Sequence, residues 1–343
     1  MASLTIEQIA ALAQSSRTTV SRVLNNHPSV RPAVRERVLR VISEQGYAPN
    51  AAARSLASRR TKVIGLIMPR RAEVIVSDPF FGLAVQTIIE ASARLGYSVT
   101  LCKVTADMEQ DFPRRVLHGQ HFDGVITFAT DPDDPLLPLL KQQKTPLVVC
   151  GSHRQSADLT WVDSQQREGA YQAVSHLLSL GHRRIAKITG LLHDPAVMER
   201  CDGYAQALAE AGLSVSPDLV VEGDWTPQSG YNQMRHLLNM PQHPSAVFVA
   251  NDMMAVGAMR AINEAGLTVP HDIALVSFDD LPVAAYTNPP LTTVRAPIAD
   301  MGATAAQLLV DRVEQRDTST KHVRLPMELI IRESCGARQW SSS

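Results

Sequence analysis

Two groups of side chains in the 343-residue sequence could do chemistry. The first is a run of hydroxyl, amide and guanidinium groups, Arg17, Thr18, Thr19, Ser21, Arg22 and Asn25, within nine consecutive positions. Arginine donates bidentately to guanine O6 and N7, and hydroxyls suit phosphate oxygens, so the run fits contact with a nucleic acid. The second group lies at the ends of apolar runs: Asp78 with Phe80 and Phe81, Arg200, Trp225, Asn251-Asp252 and Asp279-Asp280. Arg, Asn and Asp together satisfy vicinal hydroxyls, and an indole covers the apolar C–H face of a pyranose. The chemistry of this second group is therefore carbohydrate binding, with a purine as the alternative because Phe80 and Phe81 could stack a base.

Charge separates the same two groups. Residues 1–62 carry ten Lys/Arg against three Asp/Glu, a net +7, and the remaining 281 carry 23 against 31, a net −8. A basic arm on an acidic body points to nucleic acid or a membrane surface as the arm's partner. No run approaches the ~20 apolar residues of a membrane span, and the first residues have neither a basic nor an apolar leader region, so the protein is expected in the cytoplasm. The four cysteines lie far apart with no CxxC pattern, which favours free thiols over disulfides or zinc. GxGxxG, GxxxxGK[ST], HExxH and GxSxG are absent, His118-x-x-His121 is a weak metal pair at best, and neither an enzyme nor a cofactor is expected.

The elements that must position these groups follow from spacing. Thr5-Ile-Glu-Gln8 has capping-box form and predicts a helix over about 5–12. Ser16 can cap a second helix whose Val20, Val23 and Leu24 form one stripe, leaving the polar run outside. A third helix, about 32–45, starts with Pro32 and turns Val34, Val38, Leu39, Val41 and Ile42 inward. Two short helices joined by a tight turn, with basic and hydroxyl groups opening the second, form a helix-turn-helix unit. After residue 61 short apolar runs alternate with helical segments. Strands are expected at 62–68, 98–104, 124–129, 147–150, 184–189, 219–222, 246–250 and 273–277. Helices are expected near 80–95, 108–119, 135–143, 165–180, 200–212, 228–239 and 253–265. This is an α/β chain with an open doubly wound sheet made twice, whose ligand belongs beyond the strand ends, between two lobes.

Thr5-Ile6-x-x-Ile9-Ala10-x-x-Ala13, Thr19-Val20-Ser21-Arg22-Val23-Leu24-Asn25 and Gly46-Tyr47-x-Pro49-Asn50-x-x-Ala53-x-x-Leu56 closely resemble the lactose-repressor/galactose-repressor family of bacterial transcription regulators. The resemblance implies that Arg17, Thr18 and Arg22 face base edges, that Thr19, Ser21 and Asn25 contact phosphates or brace the helix, and that Tyr47 supports the approach to the backbone. It implies a hinge helix from Asn50, with Arg54 among its cations and Leu56 wedged into a minor-groove step beside Ala53. Two departures stand out. Gln14 occupies the turn where the family has Gly, so either a non-Gly residue takes φ > 0 or the turn differs. Arg31 replaces the usual Ser or Thr cap of the third helix and places a cation where phosphates could be.

Over the body the resemblance implies a fold like periplasmic sugar-binding proteins, the chain crossing between lobes near 161, 291 and 322. Residues 1–48 are then the DNA-binding unit, 49–61 the hinge, and 62–343 the core, with one lobe at 62–160 and 292–321 and the other at 161–291 and 322–334. Arg200, Asn251 and Asp279 would hydrogen-bond the effector, Phe80, Phe81 and Ile298 line the opposing wall, Trp225 stack on a ring, and Asp163 lie at the crossing. The expected partners are a roughly palindromic operator, a carbohydrate effector and a second copy of the chain, because only residues 332–343 follow the last apolar strand and they contain no heptads. A transporter's solute-binding protein is the competing class, but it has no DNA-binding arm.

Overall fold

The computed structural model describes residues 4–24, 27–47, 60–68, 78–104, 121–128, 136–142, 145–151 and 158–337. Asn25, the hinge with Asn50, Ala53, Arg54 and Leu56, and the expected helix at 108–119 lie outside the described residues. The chain divides into two units, Met1–Lys62 and Val63–Ser343. Among the described residues no helix is long and apolar enough to cross a membrane.

The first unit holds three helices, α1 (Ile6–Leu12), α2 (Arg17–Leu24) and α3 (Pro32–Glu44). Thr5 and Gln8 close a reciprocal capping box on α1, the Thr5 N–H donating to Gln8 Oε1 at 2.7 Å. Ser16 Oγ accepts the Thr19 N–H at 3.1 Å and opens α2. Ile9, Ala10, Ala13, Val20, Val23 and Val38 form the buried centre, with Val34, Val41 and Ile42 packed against it. Leu39, expected inward, is exposed: it sits one residue, about 100° of helix, past Val38 and falls off the 34-38-41-42 face.

Gln14 takes the left-handed turn with φ 45°. The Arg37 guanidinium donates from Nε to the Ala13 carbonyl at 2.9 Å and so braces that turn from α3. Arg31 precedes α3 without a side-chain cap, and Pro32, whose missing N–H is no loss at this position, begins the helix.

The second unit contains two six-stranded sheets. The first uses β1 (Val63–Met68), β2 (Ser98–Lys103), β3 (Gly124–Phe128), β4 (Leu147–Cys150), β5 (Thr160–Ser164) and β11 (His322–Leu325), in the order β11-β5-β4-β3-β1-β2. The second uses β6 (Ile185–Thr189), β7 (Val220–Glu222), β8 (Ala246–Val249), β9 (Ala274–Asp279), β10 (Thr292–Arg295) and β12 (Glu328–Ile330), in the order β12-β10-β9-β8-β6-β7. All neighbours are parallel except β10 and β12. The central strands β3, β4, β6, β8 and β9 are buried along their whole length because helices cover both faces. In the first lobe α4 (Pro79–Arg94) and α10 (Ile298–Val313) cover one face and α5 (Leu136–Gln142) packs on the other. In the second, α6 (Gln166–Ser179) and α7 (Pro195–Glu210) cover one face, α8 (Pro227–Leu238) and α9 (Asp252–Glu264) the other.

The seams between lobes fall later than expected. The chain leaves the first sheet after β5, at Gln165, returns to the first lobe after β10, at Ala296-Pro297, and crosses last between β11 and β12, at Pro326-Met327. Residues 161–164 and 322–325 thus belong to the first lobe and 292–295 to the second, opposite to the assignment from sequence. The strands responsible, Thr-Trp-Val-Asp-Ser, Thr-Thr-Val-Arg and His-Val-Arg-Leu, have no apolar run to announce them, and backbone pairing with their neighbours defines them instead. Helix α7 also starts five residues before the expected 200, because Asp194 caps it.

Candidate functional sites

The groove-reading candidates of the first unit sit on α2. Arg17, Thr18 and Arg22 are exposed, and Arg17 and Thr18 occupy the first turn, where the positive end of the helix dipole already favours phosphate. Arg17 Nε lies 3.2 Å from Glu7 Oε1 of α1; with both side chains well exposed this pair gives way readily to a DNA acceptor. Thr19 Oγ1 lies 2.9 Å from Ser16 Oγ, a bracing contact. Ser21 is half-buried, Arg31 is exposed, and Tyr47 packs half-buried on the helical core.

In the second unit a cavity of about 100 Å³ opens between the lobes, and Asp78, Phe80, Phe81, Asp163, Arg200, Trp225, Asp279 and Ile298 all line it. The first lobe supplies an apolar wall. Asp78 caps α4, accepting the Phe80 N–H at 2.9 Å, and this sets the two rings that follow. Phe80 and Phe81 meet edge to face with centroids 5.4 Å apart, and Phe81 meets Phe128 likewise at 5.3 Å. Ile298, at the start of α10, packs against the cores of both lobes.

The second lobe supplies the polar wall. Arg200, 5% exposed, lies with its guanidinium carbon 3.8 Å from the centroid of Phe278. Its Nε donates to Gln166 Oε1 at 2.8 Å, one Nη donates to the Ala250 carbonyl, and the other approaches Asp279 Oδ1 at 3.6 Å. At that separation the contact is not a hydrogen bond, and Oδ1 of Asp279 is buried without a hydrogen-bond partner. Burial pushes the Asp279 carboxyl up to about 8; Arg200 opposes the shift, and Asp252 and Asp78 add to it.

Asp279 also has φ 101°, and Asp280 follows at φ 56°. Two consecutive non-glycine residues at positive φ persist only when surrounding contacts impose them. Here Arg295 and Arg332 each donate to the Asp280 carboxylate at 2.7 Å. Asp280 is therefore a clamp on this turn. Asp252 is buried as well: its carboxylate accepts from Ser277 Oγ, from Thr293 Oγ1 at 2.8 Å and from the Leu281 N–H at 2.6 Å, fixing the turn after β9.

Trp225 has φ 73°, and its indole lies so close over Gly190 that a Cβ there would sit 2.2 Å from Cζ2. Asn251 is the site candidate that the structure sets behind the wall. Its Oδ1 caps α9 by accepting the Met254 N–H at 2.8 Å, and its Nδ2 donates to the Trp225 carbonyl at 3.1 Å, so it positions the indole. Asp163, 2% exposed, lines the cavity and accepts the Ser164 N–H at 2.7 Å.

Sequence reading missed Gln166 and Asp194. Gln166 joins Arg200 to the seam, donating from Nε2 to Ser164 Oγ at 2.9 Å and to Asp163 Oδ1 at 3.4 Å. Asp194 caps α7, accepting the Ala196 N–H at 2.8 Å, and burial pushes its carboxyl up to about 6. A signal for it was available, since Asp194-Pro195-Ala196 repeats the Asp78-Pro79-Phe80 pattern of the other lobe. Among the described residues no group of three or more His, Cys, Asp and Glu could hold a metal ion, and His118 lies outside them.

A helix-turn-helix unit in the same chain as a two-lobed α/β core, whose interlobe cavity has one polar and one apolar wall, defines a ligand-responsive DNA-binding protein. Comparison with known proteins agrees. The lacI family of bacterial regulatory proteins matches residues 5–50, and the periplasmic binding protein-like domain matches residues 174–335. The HTH-type transcriptional regulator CelR of Thermobifida fusca is 38% identical over 332 residues, covering 96% of this chain and 98% of its own. A CelR–cellobiose complex superimposes with a TM-score of 0.76 at 37% identity, over 96% and 99% of the two chains. A lac repressor dimer bound to operator and the anti-inducer ONPF gives 0.83 at 29% identity, over 97% and 99%. The chain belongs to the lacI family of bacterial regulatory proteins. It is a DNA-binding transcriptional regulator.

Proposed function

We propose that the protein is a cytoplasmic repressor that binds a roughly palindromic operator as a homodimer and answers to a carbohydrate held between its core lobes. The observation that carries this reading is Asp279 Oδ1, buried, without a hydrogen-bond partner and 3.6 Å from Arg200, beneath a cavity with an indole and an aromatic wall. A sugar hydroxyl completes Asp279, and the apolar C–H face of the ring lies on Trp225 or the phenylalanines. The cellobiose bound in the CelR complex supports the same class of ligand. The four cations of residues 54–62, on either side of Leu56, support a hinge that neutralises phosphates and inserts an apolar wedge.

Effector closes the cleft, shifts the first lobes of the dimer against each other and changes the support of the paired hinges. Because coupling is reciprocal, operator must change effector affinity by the same factor. Operator titrations at fixed salt, with and without a panel of sugars and purines, test this; if no compound alters binding, the reading is wrong. Leu56→Ala should lower operator affinity and leave effector affinity intact, and equal operator affinity would refute the wedge.

A further inference from the structure

Lys187 does not line the cavity, and its place in the second lobe is unusual for a lysine. It stands in the middle of β6, in register with Phe248 and Val220, and is 0% exposed. Its head therefore does not reach water, as that of a buried lysine stem ordinarily does. Among the described residues Nζ has no hydrogen-bond partner. The Tyr204 ring lies 5.5 Å from it and the Phe248 ring 5.6 Å, contacts worth less than the hydration that an ammonium group gives up. Burial accordingly pushes the group down to about 8; Arg200 adds to the shift, while Cys201 and Asp202 oppose it. A desolvated lysine amine is a nucleophile.

The thiol that faces this amine is Cys201, which makes no hydrogen bond to Nζ yet favours its charged form. Cys201 follows Arg200 on α7 and precedes Tyr204 by three residues, so Cys201 and Tyr204 are neighbours on one face of the helix, and the Tyr204 ring is one of the two beside Nζ. The other cysteines offer no such pairing with exposure. Cys150 and Cys335 are buried. Burial pushes the Cys150 thiol up to about 12, and Cys335 Sγ is engaged by His176 Nε2 at 3.3 Å and by Thr292 Oγ1 at 3.2 Å. Burial also raises the Cys102 thiol. Cys201 is half-buried, so a small oxidant has a side from which to approach it.

We propose that Cys201 and Lys187 form a redox-modifiable pair, in which a peroxide oxidises the Cys201 thiol to the sulfenic acid and Lys187 Nζ condenses with it to a sulfenamide. In the first step sulfur takes one peroxide oxygen, the O–O bond breaks, and water leaves with the thiol proton; two electrons pass from sulfur to the peroxide. In the second the Nζ lone pair attacks Sγ, the S–O bond breaks, and the hydroxyl departs as water with an amine proton. A thiol reverses the bond by attacking Sγ and releasing the amine, and a second thiol frees Cys201 from the mixed disulfide. The bond ties β6 to the helix that supplies Asp194, Glu199 and Arg200.

The test uses the full chain, reduced and then treated with a small excess of hydrogen peroxide. Intact mass should fall by two hydrogens, and tryptic digestion should give residues 185–200 joined to residues 201–235, because trypsin does not cut after a modified lysine. Dithiothreitol should restore both the mass and the cut. Lys187→Met keeps an unbranched side chain in the core and removes the amine. In that variant Cys201 should accumulate as the sulfenic acid and be trapped by dimedone about tenfold more than in the wild type. Cys201→Ser should give neither the joined peptides nor the dimedone adduct. Normal cutting after Lys187 in peroxide-treated protein, equal dimedone labelling of wild type and Lys187→Met, or oxidation confined to Cys102 would each overturn the pair.

Discussion

Arg200 Nε donates to Gln166 Oε1 at 2.8 Å, which ties the guanidinium facing the cavity to the first residue of α6, just past the seam between the lobes. The same amide holds Ser164 and Asp163 at the end of β5 with its Nε2. Contact with a ligand in the second lobe is thus one side chain away from the strand that ends the first.

Gln166→Leu keeps the volume and removes the acceptor, leaving a buried guanidinium N–H without a partner. An unsatisfied buried donor costs about 1–3 kcal/mol, and more on a charged group, so effector affinity should fall about tenfold or more. Gln166→Glu restores the acceptor and should recover most of it. Calorimetry on the two variants checks both, and equal affinity in wild type and Gln166→Leu would remove Gln166 from the site.

Gly190→Ala should displace Trp225. The added Cβ would lie 2.2 Å from Cζ2 and 2.3 Å from Cη2, and the left-handed backbone at Trp225, held through its carbonyl by Asn251, restricts the ring's retreat. Overpacking of this kind costs about 1–3 kcal/mol. The expected outcome is a shift in intrinsic fluorescence that disappears in a Trp225→Phe background, together with weaker sugar binding.

Asp279 gives the core a pH dependence of defined sign. Its carboxyl rises from 3.8 in the unfolded chain to about 8 in the folded one, so between those limits the folded state holds a proton that the unfolded state has released. Stability therefore falls as pH rises through this window, by at most about 1.4 kcal/mol per pH unit for one proton. Asp194 and Asp252, each at about 6, add the same sign at the lower end. Lys187, lowered by burial from 10.5 to about 8, acts in the opposite sense only above the window. His176 and His182, lowered from 6.5 by burial, make stability rise with pH near the acid end. Denaturant melts at pH 6.5 and 8 should show a loss that Asp279→Asn flattens.

Glu199 on α7 accepts from Arg324 on β11 at 2.8 Å, an ion pair from one lobe to the other. Arg324 is 42% exposed, so the pair is worth little in global stability. Its effect should appear in the closed state instead. Glu199→Gln should weaken effector binding by about fivefold at most and leave the melting temperature of the ligand-free protein nearly unchanged. A large drop in melting temperature with unaltered affinity would show a purely structural pair.

How much of this was legible in the sequence depends on where each signal is stored. Capping chemistry and apolar runs announce themselves locally, so α1 to α3, the strands β1 to β4 and the clustering of Asp78, Phe80, Arg200, Trp225 and Asp279 could be read before the fold was known. What could not be read depends on pairing at a distance. Strands β5, β10 and β11 are short and partly polar, and hydrogen bonds to neighbours far along the chain define them. Arg37 was counted with the DNA-facing charge and turns out to brace the turn at Ala13-Gln14. Asn251 had the residue type and strand-end position of a ligand contact, and the neighbouring Met254 N–H and Trp225 carbonyl use its side chain instead.

Helix α7 carries three of these groups within seven residues: Asp194 caps it at the cavity, Glu199 grips the opposite lobe and Arg200 faces the ligand. Between the first and the last the backbone is one hydrogen-bonded rod, so the segment works as a lever with no joint. A displacement imposed on Arg200 carries Asp194 and Glu199 with it, so the cap at the cavity and the contact to Arg324 move together, whereas a Gly or Pro between Asp194 and Glu199 would let the two ends part.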